Sequence, residues 1–334
     1  MKWFFYQLSK KTTMRRIFLS FIMLLCSSLV VLMACRKAKQ VTTALSHPLN
    51  VIINKEENAL QFFVLGDWGR NGAHHQKDVA DQMENLGKDF KPAFIISTGD
   101  NFYSNGVSSV KDKQWKTSFE NIYTGKHLQC LWYPVLGNHD YRGTPQAEID
   151  YTKTQSRWTM PARYYTLTHK IDDNTSARFI FLDSNPLVIK NHGYYSDMAL
   201  QDTVQQLKWL DSVLVHAKEK WKIVVAHHPV YSSNPRHGNS ERLIALLRPK
   251  LEKYGVQLYL SGHDHDLQHQ KPAGTVDYVI SGAGSQTRRT TEHLTTKFTR
   301  DVSGFAAVRI KSDSLTLHFV DYTGTPIYSF SRGK

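Results

Sequence analysis

Five short polar motifs in this chain each follow a stretch of β-forming, apolar residues. The motifs contain carboxylate, amide and imidazole side chains, which are the oxygen and nitrogen donors that bind divalent and trivalent cations in proteins. No cysteine occurs in any of them, which argues against a structural zinc–thiolate site. In chain order the motifs are Gly66-Asp67-Trp68-Gly69, Gly99-Asp100-Asn101-Phe102-Tyr103, Gly137-Asn138-His139-Asp140, His227-His228-Pro229 and Gly262-His263-Asp264-His265.

The motifs differ in how strongly each one indicates a metal site. Gly66-Asp67 alone is weak evidence, because Gly-Asp turns are common. Asp100 can bridge two cations through its two oxygens, and Asn138 offers a neutral carbonyl oxygen beside the acid or base His139. The Gly262–His265 motif is the strongest, because two histidines separated by one residue can point at neighbouring metals. Together the motifs predict two metal ions about 3.5–4 Å apart, the usual arrangement for displacement at phosphorus.

The segments between the motifs predict a frame that brings them together. Short β-rich runs alternate with amphipathic helical segments, which is typical of βαβ units and a layered α/β architecture. Ligands bind beyond the carboxyl ends of the strands in such sheets, so motifs spread over about 200 residues can meet at one site. The predicted strands are Leu60–Leu65, Phe94–Ser97, Leu131–Leu136, Arg178–Leu182, Lys222–Ala226 and Val256–Leu260, followed by a meander of Tyr278–Ser281, Gly304–Ile310, Leu315–Val320 and Ile327–Ser331. The predicted helices are His75–Lys88, Lys111–Tyr123, Thr203–Lys218 and Ser240–Lys253.

The N-terminal segment is predicted to be a lipoprotein signal. Basic residues precede an apolar run over residues 17–34, as in secretory signals, and an uncleaved anchor is the alternative because the run is long. Leu32-Met33-Ala34-Cys35 resembles a bacterial lipobox, which favours lipidation of Cys35. We therefore expect an exported, membrane-anchored lipoprotein of a bacterial envelope, with a signal peptide (1–34), a tether (35–58) and a catalytic domain (59–334).

Charge and cysteine content indicate which partners and which disulfides can be expected. The formal net charge is +13, and 13 − 5 = +8 remains without the five Lys and Arg residues of the predicted signal, which suits an anionic substrate or an anionic membrane surface. No basic run is long or interleaved with aromatic residues, so no specific nucleic-acid partner is expected. Cys26 lies in the predicted signal and Cys35 is the lipidation candidate, which leaves Cys130 without a partner for an internal disulfide.

The five motifs, in this order, resemble those of the purple acid phosphatases, and most of all the small tartrate-resistant branch. The family pattern is Asp-x-Gly, Gly-Asp-x-x-Tyr, Gly-Asn-His-Asp/Glu, Val-x-x-His and Gly-His-x-His, and the fourth reads Val224-Val225-Ala226-His227 here. The resemblance covers roughly residues 60–331. It implies a metallophosphoesterase-type β-sandwich of two mixed sheets flanked by helices, in one catalytic domain that we expect to be a monomer.

The resemblance also implies which residues hold the metal ions. It predicts Fe³⁺ in one site and a divalent ion (Fe²⁺, Zn²⁺ or Mn²⁺) in the other. The implied ligands are Asp67, Tyr103 and His265 for the ferric ion, Asn138, His227 and His263 for the divalent ion, and Asp100 as the bridge.

The same resemblance implies the reaction, the hydrolysis of a phosphate monoester. A metal-bound hydroxide would attack phosphorus, and His139, which is not a ligand, would assist the leaving group. His237 falls where the branch has a second active-site histidine. The expected substrates are phosphorylated small molecules or phosphoproteins, with activity at mildly acidic pH.

Two other functions remain open from the sequence. A calcineurin-like phosphodiesterase acting on nucleotides or lipids typically has Asp-x-His first, whereas Gly69 stands here and Tyr103 is present. A non-catalytic surface binding module would be indicated by the loss of a ligand, and none is lost.

Among the departures from the tartrate-resistant branch, His228 stands where the branch typically has Tyr. The loop between Asp183 and Gln201 is shorter, which argues against regulation by loop cleavage.

Overall fold

The computed structural model describes residues 56–154, 157–189 and 197–334. The predicted signal peptide, Cys35 and most of the tether lie outside the described residues. Within those ranges the strands are β1 (Leu60–Leu65), β2 (Phe94–Ser97), β3 (Leu131–Pro134), β4 (Tyr165–Lys170), β5 (Ser176–Phe181), β6 (Trp221–Val225), β7 (Leu258–Ser261), β8 (Leu267–Gln270), β9 (Asp277–Ser281), β10 (Thr296–Arg300), β11 (Gly304–Ile310), β12 (Ser314–Asp321) and β13 (Pro326–Gly333). The α-helices are α1 (Gln76–Phe90), α2 (Pro145–Tyr151), α3 (Asn185–Val188), α4 (Thr203–His216), α5 (Glu241–Leu246) and α6 (Arg248–Lys253).

The first sheet has the strand order β13-β12-β11-β1-β2-β3. β1 pairs in parallel with β2, and β2 in parallel with β3, whereas β11, β12 and β13 are added by antiparallel pairing. The three parallel strands have their carboxyl ends at the same edge of the sheet, and the first three polar motifs follow those ends. The C-terminal meander is therefore an extension of the sheet that carries half of the site.

The second sheet has the order β10-β8-β9-β7-β6-β5-β4. Its central strands β5, β6, β7 and β9 run in parallel, so the motifs after β6 and β7 also leave from one edge. The sequence analysis placed Tyr278–Ser281 in the C-terminal meander. That assignment is wrong, because this segment is part of β9, which pairs with β7 and β8 in the second sheet.

The two sheets pack face to face around an aromatic core. Phe62 of the first sheet stacks on Phe94 at 4.9 Å between ring centroids and meets Phe179 of the second sheet edge-on at 5.3 Å. The outer face of the second sheet is covered too, because Tyr259 packs in a second cluster with Leu210 of α4 and Leu243 of α5. Burial on both faces explains why its central strands read as continuous apolar runs. The predicted layered architecture is confirmed.

Two predicted helices are shorter or interrupted. The segment predicted as helix over Lys111–Tyr123 forms only a six-residue helical turn, Trp115–Glu120. Before it, the side chain of Asp112 accepts hydrogen bonds from the backbone N–H of Ser108 and of Gln114, which favours a turn over a helix. The segment Ser240–Lys253 is split between α5 and α6 just before Pro249, whose ring lacks the N–H that a continuous helix requires.

Candidate metal centre

The polar motifs meet between the carboxyl ends of the two sheets. His227, which follows β6, approaches the carbonyl oxygen of Thr98 after β2, with its Nδ1 atom at 2.8 Å. The backbone N–H of His263, which follows β7, donates to Oδ2 of Asp67 after β1 at 2.9 Å. These bonds join residues from both sheets directly, so the site is built by the packing of the two sheets.

Four candidate ligands converge on one side of the centre. The hydroxyl oxygen of Tyr103 lies 2.8 Å from Oδ1 of Asp67 and 2.9 Å from Oδ2 of Asp100. It also lies 3.1 Å from Nε2 of His265. All four side chains are buried. These residues, called here the tyrosine-side group, are the ones that the sequence predicts for a ferric ion.

Four donor atoms also converge on the other side. Nε2 of His227 lies 3.3 Å from Oδ1 of Asn138, 3.2 Å from Nδ1 of His263 and 3.4 Å from Oδ1 of Asp100. These residues are called here the histidine-side group. Asp100 presents one oxygen to each group, which is the arrangement expected of a bridging carboxylate. The structure thus brings together all seven predicted ligands, and their roles as ligands remain a prediction.

The protonation states of these side chains favour the binding of cations. Burial, reinforced by the negative charge of Asp100, raises the pKa of Asp67 well above its usual range. Burial also opposes the charge on Asp100, but His227 and His139 outweigh it and bring that pKa to about 2. Burial is the main reason that the pKa values of His263 and His265 fall to about 3, so both rings are neutral and able to ligate. Two facing carboxylates can both ionise in such a site when a cation neutralises them.

Unusual backbone geometry aims these side chains. Asp67, Asp100 and His263 have φ angles of 60°, 49° and 69°, in the left-handed region that residues other than glycine rarely adopt. Strain of this kind persists where the surroundings enforce it, and it concentrates at functional sites. Gly137 also lies very close to Asp100, since a Cβ atom on Gly137 would collide with the backbone nitrogen and Oδ1 of Asp100. This position therefore requires glycine.

His139 lies beside the centre without joining either group of donors. Its backbone N–H donates to Oδ1 of Asp100 at 2.7 Å, and its ring Nδ1 lies 2.6 Å from the carbonyl oxygen of Ser104. Nη1 of Arg142 also lies 3.2 Å from Nδ1, but the much shorter contact is with the carbonyl. A carbonyl only accepts, so Nδ1 carries a hydrogen and Nε2 is the atom free to gain or lose a proton. Nε2 lies 3.9 Å from Oδ2 of Asp100, which turns it toward the centre. Burial lowers the pKa of this ring.

His237 lies at the edge of the histidine-side group. Its ring stacks on that of His263 at 4.5 Å between centroids, and its side chain is 26% exposed. Its Nδ1 is 2.6 Å from Oδ1 of Asp264, and Oδ2 of the same carboxylate accepts a hydrogen bond from Ser232. Asp264, to which the sequence analysis gave no role, therefore fixes the orientation of His237.

A buried network beneath the site was also missed by the sequence analysis. Asp140 accepts hydrogen bonds from the backbone N–H of Asn101 at 2.9 Å and of Gly137 at 2.8 Å, which ties the loops after β2 and β3 together. The side chain of Asn101 donates to Glu148 at 2.9 Å. Burial, then the charge of Asp140, raises the pKa of Glu148 well above its usual range. Asp140 could have been suspected as the last residue of its motif, whereas Glu148 has no signal in the sequence.

Arg70 supports the tyrosine-side group and was likewise not predicted. Its guanidinium lies 3.7 Å above the ring of Tyr103, and its Nε donates to Ser285 at 3.2 Å. A cation over this face stabilises negative charge on the phenol oxygen.

The tight packing around Asp100 gives a direct prediction. Gly137→Ala should displace Asp100 and weaken metal affinity by about 10–100-fold, as the loss of ligand-orienting groups does elsewhere. Bound metal per chain, measured after dialysis against buffered metal, checks this. The control is Gly333→Ala, because a Cβ there meets its nearest neighbour, the carbonyl oxygen of Asp313, at 4.0 Å. Equal metal content in the two variants would contradict the prediction.

Comparison with known proteins agrees with this geometry. The sequence model of the family described as calcineurin-like phosphoesterase matches residues 60–267. Purple acid phosphatase 4 of Arabidopsis thaliana is 35% identical over 330 residues, covering 95% of this chain and 94% of its own. Human tartrate-resistant acid phosphatase type 5 is 35% identical over 298 residues, covering 81% of this chain and 90% of its own.

Solved structures show the same fold. The structure titled as GAP50, the anchor in the inner membrane complex of Plasmodium, superposes with a TM-score of 0.75 at 27% identity, covering 82% of this chain and 89% of that one. A purple acid phosphatase from yellow lupin seeds superposes with a TM-score of 0.63 at 16% identity, covering 83% of this chain and 55% of that one. The resemblance noted from the motifs is confirmed: this chain belongs to the purple acid phosphatases, within the calcineurin-like phosphoesterase family.

Proposed function

We propose that this chain is an acid phosphatase that hydrolyses phosphate monoesters with two metal ions. The observation that carries the proposal is the pair of buried or half-buried donor groups that share Asp100. Sites of this kind stabilise the charge that develops on a phosphoryl group during transfer. Membership of the purple acid phosphatases supports the same activity. The substrates we propose are phosphorylated small molecules or phosphoproteins, bound by a monomeric chain.

For the metals, we propose Fe³⁺ at the tyrosine-side group and Fe²⁺, Zn²⁺ or Mn²⁺ at the histidine-side group. When bound, the ions supply Lewis-acid catalysis at phosphorus. The phenol of Tyr103 supports a trivalent ion, because burial and the charges of Asp100 and Asp67 raise its pKa well above its usual range. A strong Lewis acid is then needed for it to ionise and ligate.

The protein's own contribution to the reaction centres on His139. Hydrogen bonding of Nδ1 to Ser104 leaves Nε2 as the titrating atom, so the ring protonated on both nitrogens gives its Nε2 proton to the departing alkoxide oxygen and returns to the neutral Nδ1–H form. His237, held by Asp264, is the second candidate for contact with the phosphate. The exposed side of His237 suits a position at the mouth of the site, where the ester enters.

The role of His139 can be tested by removing its ring. His139→Ala should retain both metals and lower turnover by about 10²–10⁴-fold, the range for loss of a general acid or base. Metal analysis and steady-state kinetics on a monoester measure the two quantities. His216→Ala, at the exposed end of α4, is the control and should match the parent protein. If His139→Ala loses metal in proportion to activity, the residue is a ligand and the assignment is wrong.

The role of Tyr103 predicts a colour. A ferric–phenolate pair absorbs visible light by charge transfer, so protein purified with iron should be purple or pink. Tyr103→Phe keeps the ring against Arg70 but removes the oxygen, so the fold should persist while the colour disappears. A visible spectrum with metal analysis checks this. A colourless, fully active preparation that contains only Zn²⁺ or Mn²⁺ would rule out the ferric assignment.

A panel of substrates separates the proposal from its alternatives. Hydrolysis of monoesters in preference to diesters supports a phosphatase, and the reverse supports a phosphodiesterase of nucleotides or lipids. A non-catalytic binding role has one specific observation in its favour, the similarity to a Plasmodium protein whose structure is titled an anchor. Absence of hydrolysis by metal-loaded protein across the panel would favour that role.

For location, we propose attachment to a bacterial envelope membrane through lipidated Cys35. None of the helices in residues 56–154, 157–189 and 197–334 has the length and hydropathy of a membrane span. Cys35→Ser should move the protein to the soluble fraction or block its processing, as cell fractionation with mass measurement would show. A variant that stays with membranes at its unprocessed mass would instead indicate that the apolar run over residues 17–34 is the anchor.

A further inference from the structure

A third imidazole, from His228, lies against the histidine-side group. Its ring centroid is 4.5 Å from that of His263 and 5.0 Å from that of His227. One nitrogen of each of the three rings lies within 4.8 Å of the others. The side chain is only 5% exposed. Position alone would allow His228 to be a further ligand, a packing residue or a contact for the substrate.

The hydroxyl of Ser184 distinguishes among these roles. Ser184 is fully buried, and its oxygen accepts a hydrogen bond from the backbone N–H of His228 at 3.0 Å. The same oxygen lies 2.9 Å from the ring Nδ1 of His228. A buried hydroxyl must also donate its hydrogen, and Nδ1 is the acceptor that the described residues offer to it. Nδ1 therefore accepts, and the ring hydrogen lies on Nε2.

In this tautomer neither ring nitrogen of His228 has a free lone pair. The lone pair of Nδ1 is used by Ser184 and Nε2 carries a hydrogen, so neither nitrogen is available to a cation. Nε2 has no hydrogen-bond partner among the described residues, and His228 keeps 5% of its surface exposed. The outcome is an N–H donor on a neutral ring, held rigidly at the edge of the metal centre.

We propose that His228 is a neutral hydrogen-bond donor, from Nε2, to a tetrahedral oxyanion bound at the centre, and that Ser184 is the positioning residue that fixes its tautomer. The inference rests on the proposed phosphatase function and adds a residue that recognises the phosphoryl oxygens. A neutral donor to an anion gives a charge-assisted hydrogen bond without burying another charge beside two metal ions. The ligand class is inorganic phosphate and the phosphoryl group of a monoester.

Inorganic phosphate is the probe, as a competitive inhibitor of monoester hydrolysis by the metal-loaded full chain. His228→Phe keeps the ring volume and removes the donor, so the inhibition constant should rise about 10–100-fold, as for loss of a hydrogen bond to a charged group. His228→Gln places an amide N–H near the position of Nε2 and should stay within about 3-fold of the parent. Both variants should keep two metals per chain.

Ser184 has its own matched pair of variants. Ser184→Ala frees the tautomer and should raise the inhibition constant about 3–10-fold, whereas Ser184→Thr retains the hydroxyl and should restore it. In protein loaded with diamagnetic Zn²⁺, the ¹⁵N shifts of His228 should report a hydrogen on Nε2 in the parent and a mixture in Ser184→Ala. A merely structural role for Ser184 would leave that tautomer unchanged.

The outcomes separate this inference from the function on which it rests. An active parent whose phosphate inhibition is unchanged in His228→Phe overturns the donor role. Loss of a metal in His228→Phe would show that His228 is a ligand. Equal weakening of phosphate inhibition in His228→Phe and His228→Gln would show that it is a packing residue. Either result also overturns the donor role. An ¹⁵N spectrum with the hydrogen on Nδ1 in the parent overturns the tautomer. If the parent protein neither hydrolyses monoesters nor binds phosphate, the proposed phosphatase function itself is wrong.

Discussion

Asp100 is a buried carboxylate that must serve two groups of donors at once, and much of the surrounding structure follows from that requirement. Its two oxygens point to opposite sides, toward Tyr103 and toward His227. Such a position is costly for an anion, since burial opposes ionisation and Asp67 adds a like charge nearby. Its left-handed backbone and the bare Cα of Gly137 beside it are both consequences of placing one carboxylate between two sites.

The loops that carry the ligands are held by bonds that do not involve a metal. Asp140 joins the loops after β2 and β3, and Thr98 and Asp67 bind groups from the second sheet. Because these loops are already ordered, metal binding would cost less free energy for ordering the protein. It does not remove the repulsion between buried carboxylates, so ions that bind the folded state add stability to it.

The sequence predicted the parts of this structure that depend on apolar patterning and on strand ends. β1, β2 and β11 lie where the buried runs indicated, and the seven predicted ligands converge because parallel strands end at one edge. β8 was missed because its buried side chains are mainly polar, with Gln268 and Gln270 satisfied by hydrogen bonds instead of apolar contacts. Glu148 and Ser184 could not be predicted, since their roles depend on partners that only the tertiary structure supplies.

The construction of the site from two sheets also has a consequence for the order of events in the life of the chain. Asp67 and His265 stand at opposite ends of the site in the sequence, and the second sheet contributes His227, His263 and His265. A nascent chain that has exposed only the first three motifs lacks every imidazole among the predicted ligands. Because domains generally fold as units, metal ions held by the predicted ligands would bind late, after the second sheet has docked. On the proposed ligand assignment, the topology would set the time of metal binding, and the compartment in which folding finishes would decide which metals are available.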